Sequence, residues 1–215
     1  MKSDATKKTQ ARYDRIAPIY DLMETIVERL AFQHWRESLW TNIEGERILE
    51  VGVGTGKNFP YHPKGAKVTG VDISERMLAR AKERCPSSSA DVDLTLMDAQ
   101  QLGFADDTFD SAVATFVFCS VPDPVLGLKE INRVVKPSGR VLLLEHVRVN
   151  APIVGPLMDL FDPVMVRLIG PHINRHTVAN VRQAGLTIQR VEELVAGGLV
   201  KLIFAKPNTN PQTHK

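Results

Sequence analysis

The chain has 215 residues, 43% of them apolar, and its 27 Lys and Arg nearly balance its 25 Asp and Glu. Such an apolar fraction is ordinary for a folded domain, so a predominantly disordered chain is excluded. The net charge of +2 gives no overall electrostatic reason to bind nucleic acid. No stretch of about 18 uncharged apolar residues is present, which argues against a membrane-crossing helix.

The two cysteines, Cys85 and Cys119, are too few for a disulfide framework or a zinc site. We therefore expect reduced thiols in a cytoplasmic protein. The first residues lead into no apolar segment of the kind that a secretory signal has. The length suits one domain with a sizeable core.

Residues 1–44 are predicted to form an amphipathic helical region. The first fifteen residues hold five Lys and Arg against two Asp. From Ile16 to Leu30, apolar residues recur at steps of three and four, which is the spacing of one helix face. Basic side chains beside an apolar face are typical of helices that lie on anionic lipid. We expect this region to contact a membrane and to cover the substrate.

Residues 45–206 are predicted to form one α/β domain. Five short apolar runs are predicted to be strands: residues 47–51, 67–71, 92–97, 109–118 and 140–147. Helical segments between them, notably 75–84 and 123–135, predict a mostly parallel sheet covered on both faces. Two further strands, 187–194 and 199–205, are joined by so short a connection that we expect them to be antiparallel. The sequence thus predicts a Rossmann-like fold with seven strands.

Residues 149–175 fit neither the strand nor the helix pattern of their neighbours. The segment is long, apolar and rich in Pro, Gly and Met, and it is inserted before a helix predicted at 174–184. We expect it to form a helical or looped lid over the carboxyl ends of the strands, where open α/β sheets bind ligands. Residues 207–215 are expected to be a flexible tail.

Three features at strand ends predict a nucleoside site. The first strand runs into Glu-Val-Gly-Val-Gly-Thr-Gly at residues 50–56, where glycines allow a sharp turn and close approach of a ligand. Asp72 ends the second strand, and its carboxylate could accept hydrogen bonds from ribose hydroxyls. Asp98, followed by Ala99, ends the third strand and could meet an adenine edge.

The third glycine comes one residue too early for the dinucleotide-binding pattern. The early glycine, the Asp98–Ala99 pair and the terminal antiparallel strands resemble the class I S-adenosylmethionine-dependent methyltransferases. The resemblance covers residues 47–147, where it includes the segments 118–122 and 136–139. It implies that S-adenosylmethionine is the cofactor and S-adenosylhomocysteine the product.

The same resemblance implies which residues bind the cofactor. They are Glu50, Gly52, Gly54, Gly56, Asp72, Ile73, Asp98, Ala99, Phe118 and Cys119. Glu50 and the glycines would face the methionine portion, Asp72 the ribose, and Asp98 with Ala99 the adenine. Phe118 and Cys119 would line the floor near the sulfonium, although plain core packing explains them equally well.

The segments outside this domain indicate the substrate. The pattern Tyr-Asp-Arg-Ile-Ala-Pro-Ile-Tyr-Asp at 13–21 resembles one found in methyltransferases of lipophilic substrates such as quinones and phospholipids. Residues 13–24, 144–148 and 172–182 together resemble bacterial phospholipid N-methyltransferases of the Rhodobacter type. That family converts phosphatidylethanolamine stepwise to phosphatidylcholine. The resemblance implies a phospholipid substrate and an anionic membrane as partners, and a cytoplasmic protein associated peripherally with the inner membrane face.

Four residues are predicted to act on the amine and four to bind the substrate. The first set is Tyr20, Glu24, Glu145 and His146; the second is Tyr13, Arg148, His172 and Arg175. Tyr20, His146 or a water held by Glu145 would accept the proton that the ammonium must lose. Glu24 follows Tyr20 by one helical turn, so the two could cradle the amine. Arg148, His172 and Arg175 would hold the phosphate.

Other functions fit parts of the same pattern. They are C-methylation of a quinone precursor, methylation of a thiol or small amine, and S-adenosylmethionine binding without catalysis. Base methylation of nucleic acid is disfavoured, because residues 118–122 read Phe-Cys-Ser-Val-Pro where such enzymes carry Asn/Asp-Pro-Pro-Tyr/Phe. We expect neither a nucleic-acid partner nor a metal.

Overall fold

The computed structural model describes residues 3–27, 32–168, 171–195 and 197–208, and omits the side chains of 18–27 and of Leu168. The helices are α1 (Asp4–Val27), α2 (Gln33–Thr41), α3 (Glu75–Arg84), α4 (Pro124–Val134), α5 (Val154–Leu168) and α6 (Thr177–Gln183). The strands are β1 (Arg47–Val51), β2 (Lys67–Asp72), β3 (Asp91–Leu96), β4 (Phe109–Thr115), β5 (Val135–His146), β6 (Thr187–Glu193) and β7 (Val200–Lys206).

The strands form one seven-stranded sheet in the order β3-β2-β1-β4-β5-β7-β6. Strands β1 to β5 pair in parallel, and β7 runs antiparallel to both of its neighbours. The prediction of a Rossmann-like α/β fold with a reversed C-terminal strand is confirmed. The strand order changes direction between β1 and β4, and open sheets of this kind bind ligands outside the carboxyl ends of the strands at such a point.

Hydrophobic cores cover both faces of the sheet. Consecutive residues of β1 enter opposite cores, because side chains alternate along a strand: Ile48 packs with Leu39 of α2, and Leu49 with Leu128 of α4. All four side chains are fully buried. The near-continuous apolar strands of the sequence reflect this burial on both faces.

Strand β4 ends at Thr115, three residues before the predicted end at 118. Phe116 then adopts φ 56°, a left-handed conformation that is uncommon for a bulky residue and turns the chain out of the sheet. The prediction of a strand through 118 was wrong because the apolar run continues past this turn. The turn decides which side chains of 116–122 face the ligand site.

The described half of α1 packs against the domain. Thr6 and Ala17 are each only 1% exposed, whereas Lys7, Lys8 and Arg15 lie on the outward face. The helix therefore covers the domain and presents positive charge to its surroundings. The predicted amine-binding residues Tyr20 and Glu24 lie within α1, but their side chains fall outside the described ones.

The inserted segment is built around α5. Met158 and Asp162 face the domain and are buried, while the opposite side of the helix is exposed and apolar. The large apolar side chains that are exposed in this segment are Ile153, Val154, Leu157, Leu160, Phe161 and Val164. None of the helices in the described parts of the chain is long and apolar enough to cross a membrane.

Candidate active site

A cleft of about 670 Å³ opens at the carboxyl ends of β1 to β4. Its walls come from the glycine turn, the ends of β2 and β3, the loop after β4, and α1. The lining includes Tyr13, Gly52, Asp72, Ile73, Asp98, Ala99, Thr115, Phe116, Val117 and Ser120. Five of the ten predicted cofactor-binding residues thus meet in one cavity: Gly52, Asp72, Ile73, Asp98 and Ala99.

The glycine turn after β1 passes close to the loop after β4. Gly52 has φ 67°, and a Cβ there would lie 2.4 Å from Cγ2 of Val117. Only glycine is compatible with both the conformation and the space. Gly54 donates its N–H to Oδ2 of Asp72 at 2.9 Å, so the turn is tied to the end of β2. Gly54 and Gly56 shape the turn without being among the residues that line the cleft.

Asp72 lies at the cleft wall. Its Oδ1 accepts from the N–H of Ser74 at 2.9 Å, and its other oxygen accepts from Gly54. Burial raises the pKa of Asp72 to about 6, although backbone N–H groups, including that of Ile73, oppose the rise. Each carboxylate oxygen has further acceptor capacity, so Asp72 can accept hydrogen bonds from ribose hydroxyls.

Asp98 and Ala99 border the other end of the cleft, where Gln100 organises the loop. The side-chain amide of Gln100 donates to both oxygens of Asp98, at 3.1 and 3.2 Å. It also donates to Oγ1 of Thr6 on α1, while its carbonyl accepts from the N–H of Asp123 at the start of α4. The sequence analysis missed Gln100, since a polar residue in a loop carries no distinctive pattern.

Helix α1 closes one side of the cleft. The hydroxyls of Tyr13 and Ser120 share a hydrogen bond, and Ser74 donates its hydroxyl to the carboxylate of Asp14. Burial raises the pKa of Tyr13, so its hydroxyl stays protonated at neutral pH. Tyr13 was predicted to bind substrate, and the structure places it in the cleft wall.

Glu50 does not face the cleft. Its carboxylate is buried, with Oε1 accepting from Nδ2 of Asn58 at 2.7 Å and Oε2 lying 3.0 Å from Nε2 of His62. Both oxygens therefore have partners within the protein, and the residue supports the glycine turn from below. That Glu50 contacts the methionine portion stays a prediction.

Phe118 and Cys119 do not line the cleft either. Both are buried, and Phe118 belongs to the core beneath α4. Phe116 and Val117 take their place in the cleft wall, because the chain leaves the sheet at Phe116. Burial raises the pKa of the Cys119 thiol to about 12, so it stays protonated.

The side chain of Glu145 lies beneath the loop that follows β4. Its Oε1 accepts from the N–H groups of Val117 and Phe118 at 2.9 and 3.0 Å, and the residue is 0% exposed. Glu145 therefore holds the cleft wall in place through Oε1, while its Oε2 has no hydrogen-bond partner among the described residues. That Glu145 holds a catalytic water stays a prediction. His146 stacks on the Phe116 ring at 4.4 Å between centroids, and burial lowers its pKa.

The predicted phosphate clamp is not formed. Arg148 makes paired hydrogen bonds with Asp159 of α5, at 3.0 and 2.8 Å. Nδ1 of His172 lies 2.7 Å from Asp162 on the same helix, and Arg175 donates to the carbonyl of Val121 at 2.9 Å. These contacts brace α5 and the cleft loop. That the three side chains bind phosphate stays a prediction.

The sheet order, the glycine turn and the carboxylates at the ends of β2 and β3 are together the features of a nucleoside-binding site of the kind that class I methyltransferases have. The cleft fits S-adenosylmethionine, because Asp72 offers acceptors for the ribose hydroxyls, and Asp98 with Ala99 borders the end where the adenine would lie. Among the residues that the structure describes, no His, Cys, Asp or Glu cluster could hold a metal ion.

Comparison with known proteins points to the methyltransferases as well. The methyltransferase domain family matches residues 49–143. The chain is 31% identical over 191 residues to a demethylmenaquinone methyltransferase of Clavibacter sepedonicus, covering 84% of this chain and 78% of that one. It is 41% identical over 113 residues to a phosphatidylethanolamine N-methyltransferase of Cereibacter sphaeroides, covering 52% of this chain but only 56% of that relative.

A solved structure shows the same fold. An S-adenosylmethionine-dependent methyltransferase of Thermotoga maritima matches with a TM-score of 0.70 at 21% identity, covering 92% of this chain and 99% of that one. The chain therefore belongs to the class I S-adenosylmethionine-dependent methyltransferases. Its cofactor is S-adenosylmethionine, and its cofactor product is S-adenosylhomocysteine.

Replacing Asp72 with asparagine should weaken binding of S-adenosylhomocysteine roughly 10- to 100-fold, because hydrogen bonds to a charged group are worth about 1.5–3 kcal/mol. Isothermal titration calorimetry measures the affinity. Asp91→Asn is the matched control, since Asp91 is exposed at the opposite end of the sheet. Equal affinities for the two variants would remove Asp72 from the cofactor site.

Proposed function

We propose that this methyltransferase acts on the head-group amine of phosphatidylethanolamine at a membrane surface, in successive steps towards phosphatidylcholine. The phosphatidylethanolamine N-methyltransferase of Cereibacter sphaeroides supports the choice of substrate, because its 41% identity exceeds the 31% of the quinone-type relative. The geometry that carries the proposal is the exposed apolar face of α5.

That face is unusual for a soluble domain. Leu160 and Phe161 are 68% and 54% exposed, and with Leu157 and Val164 they form one continuous stripe along the helix. Asp162, on the opposite side of α5, accepts from the N–H of Ile173 at 2.8 Å, in the segment that follows the helix. An apolar helix held at a cleft loop is suited to resting on lipid while a head group enters the cleft.

The outward face of α1 carries positive charge, which supports the same proposal. Lys7, Lys8 and Arg15 are exposed there, and Arg167 is exposed near the end of α5. Anionic lipid attracts such residues by about 1 kcal/mol each close to the surface. Basic and apolar surfaces together support peripheral binding without any spanning segment.

The bound cofactor supplies an activated methyl group, and the chain must present a deprotonated amine to it. Tyr13 is not a base for this step, because burial keeps its hydroxyl protonated. His146 is neutral, but it lies against Phe116 and is not itself a cleft-lining residue. Tyr20 and Glu24 of α1 remain the predicted amine-binding pair.

A second candidate is C-methylation of a lipophilic quinone precursor. The demethylmenaquinone methyltransferase covers 84% of this chain, against 52% for the phospholipid enzyme, which favours this candidate. The exposed face of α5 suits either lipid.

One labelling experiment separates the two candidates. The protein is incubated with methyl-labelled S-adenosylmethionine and total bacterial lipid, and the products are resolved by chromatography. Label in mono-, di- and trimethylated phosphatidylethanolamine would support the proposal and count the steps. Label confined to quinones would replace it with the second candidate.

Replacing Leu160 with aspartate and Phe161 with serine should release the protein from anionic vesicles. Burying each side chain contributes about 1.5–3 kcal/mol, so we expect binding to fall at least tenfold. Vesicle sedimentation measures the fraction of protein that is bound to the vesicles. Leu126→Asp on α4 is the control, since Leu126 is 44% exposed and lies away from α5. Undiminished binding of the double variant would place the contact elsewhere, on the basic face of α1.

A further inference from the structure

Gln100 connects one end of the cofactor cleft to helix α1. Its side-chain nitrogen donates to Oδ1 and Oδ2 of Asp98, at 3.1 and 3.2 Å, and to Oγ1 of Thr6 at 3.1 Å. Its carbonyl oxygen accepts from the backbone N–H of Asp123 at 3.0 Å. Because a backbone N–H can only donate, that bond turns the donor end of the amide towards Asp98 and Thr6. One side chain therefore links α1, a cleft carboxylate and the start of α4.

Thr6 is held for this contact by the first turn of α1. It is 1% exposed, and its Oγ1 also accepts from the hydroxyl of Ser3 at 3.0 Å. The oxygen of that hydroxyl accepts in turn from the N–H of Thr6 at 3.1 Å, as the side chain of a helix N-cap does. Thr6 is not among the residues that line the cleft, so its influence on a bound cofactor runs through Gln100 and Asp98.

The end of the cleft at β2 has a similar arrangement. Ser74, two residues after Asp72, donates its backbone N–H to Oδ1 of Asp72 and its hydroxyl to Asp14 of α1. Gln100 likewise follows Asp98 by two residues. Each carboxylate that is expected to bind the nucleoside thus shares a neighbour with α1. One connected network of hydrogen bonds therefore sets both the position of the helix and the orientation of the two carboxylates.

We propose that Gln100 is a positioning residue that couples recognition of the adenine to docking of α1. The amide holds the carboxylate of Asp98 in one orientation, and an adenine amino group that donates to this carboxylate restrains it further. The restrained carboxylate strengthens the bonds of the amide, including the bond to Thr6. Such coupling is reciprocal, so a cofactor that binds the docked form more tightly also makes α1 open less often.

This coupling sets the order of events in the cleft. Helix α1 contributes Tyr13 to the cleft wall and carries Tyr20 and Glu24, the predicted amine-binding pair. Because the helix is held most firmly when the methyl donor is present, this wall is complete before the acceptor enters. The inference depends on S-adenosylmethionine as methyl donor and not on the identity of the acceptor.

Hydrogen exchange of the backbone amides of residues 8–17 measures how often α1 opens. The opening equilibrium is compared without ligand and with saturating S-adenosylhomocysteine, and the ratio of the two values gives the coupling. We expect a ratio of roughly 5 to 150, the usual range for two coupled sites. The 6-deamino analogue of S-adenosylhomocysteine lacks only the adenine amino group. It should give a ratio that is roughly 2- to 10-fold smaller, which corresponds to one hydrogen bond.

Variants of Thr6 and Gln100 test the route of the coupling. Thr6→Val removes the acceptor of the amide without changing a cleft residue, and it should lower the ratio for S-adenosylhomocysteine to that of the deamino analogue. Thr6→Ser is the matched control, because it keeps the hydroxyl and should keep the ratio. Gln100→Met should behave like Thr6→Val. The double variant should lose no more than either single variant, since both remove the same link.

Two outcomes with these variants would overturn the proposal. One is full coupling in Thr6→Val or Gln100→Met, and the other is losses that add up in the double variant. If the variants do not fold, the unmodified protein decides. Equal protection of α1 by S-adenosylhomocysteine and its deamino analogue, both at saturation, would overturn the proposal without any substitution.

Discussion

Replacing Gly52 with alanine is expected to cost about 2–5 kcal/mol of folding stability and to weaken S-adenosylhomocysteine binding roughly 100-fold or more. The left-handed conformation at φ 67° costs a residue with a Cβ about 1–2 kcal/mol. The new methyl would also lie 2.4 Å from Cγ2 of Val117, and such overpacking costs about 1–3 kcal/mol. Relieving that contact would move the turn and with it one wall of the cleft. A loss of about 3 kcal/mol of binding free energy corresponds to a roughly 100-fold lower affinity for S-adenosylhomocysteine.

Gly65→Ala separates the two causes. Gly65 has φ 80°, but nothing lies within 4 Å of a Cβ added there. We expect this control to lose only the conformational contribution of about 1–2 kcal/mol and to bind the cofactor product normally. Chemical denaturation and calorimetry measure the two quantities. Equal losses of stability at the two positions would mean that Val117 moves aside freely and that crowding has no role at Gly52.

Replacing Glu145 with alanine should destabilise the protein by about 3–5 kcal/mol. The substitution leaves the buried N–H groups of Val117 and Phe118 without their acceptor, at about 1–3 kcal/mol each, and it opens a cavity. Glu145→Gln keeps an acceptor oxygen and should retain most of the stability. Denaturation of both variants measures the difference; similar losses would mean that the hydrogen bonds are not what stabilises the loop.

The same residue predicts how stability depends on pH. Burial raises the pKa of Glu145 to about 7, so the folded state prefers the protonated form. Its contribution is fully present below the ordinary pKa of about 4.3 and is lost as the pH rises through 7, by up to about 3 kcal/mol. Glu145→Gln should flatten this part of the profile. Asp72 acts in the same direction at lower pH, since burial raises its pKa to about 6. An unchanged profile between pH 5 and about 8 would show that Glu145 does not titrate there.

The sequence predicted the fold well because the sheet is determined by local patterns. Apolar runs, short connections and glycines at strand ends each specify an element or a turn without reference to distant residues. The positions of Gly52, Asp72 and Asp98 follow from the same rule, since parallel strands place their carboxyl ends along one edge. These three residues meet in the cleft that the structure forms there.

The remaining differences come from side-chain pairings that no sequence pattern specifies. Glu50 looked like a ligand because it stands beside the glycines, yet its oxygens meet Asn58 and His62. Arg148 looked like an anion site until α5 brought Asp159 to it. A charged side chain in a sequence does not reveal which charge will face it after folding.

Hydrogen bonds that hold α1 over the cleft connect residues 60, 62, 94 and 107 positions apart. Ordering such long stretches of chain costs more conformational entropy than forming a hairpin or a helix. Because these contacts form only once the domain has folded, we expect α1 to open before the sheet does. Under mild denaturing conditions the cleft would thus lose this wall while the sheet stays intact, and cofactor affinity would decline before global unfolding.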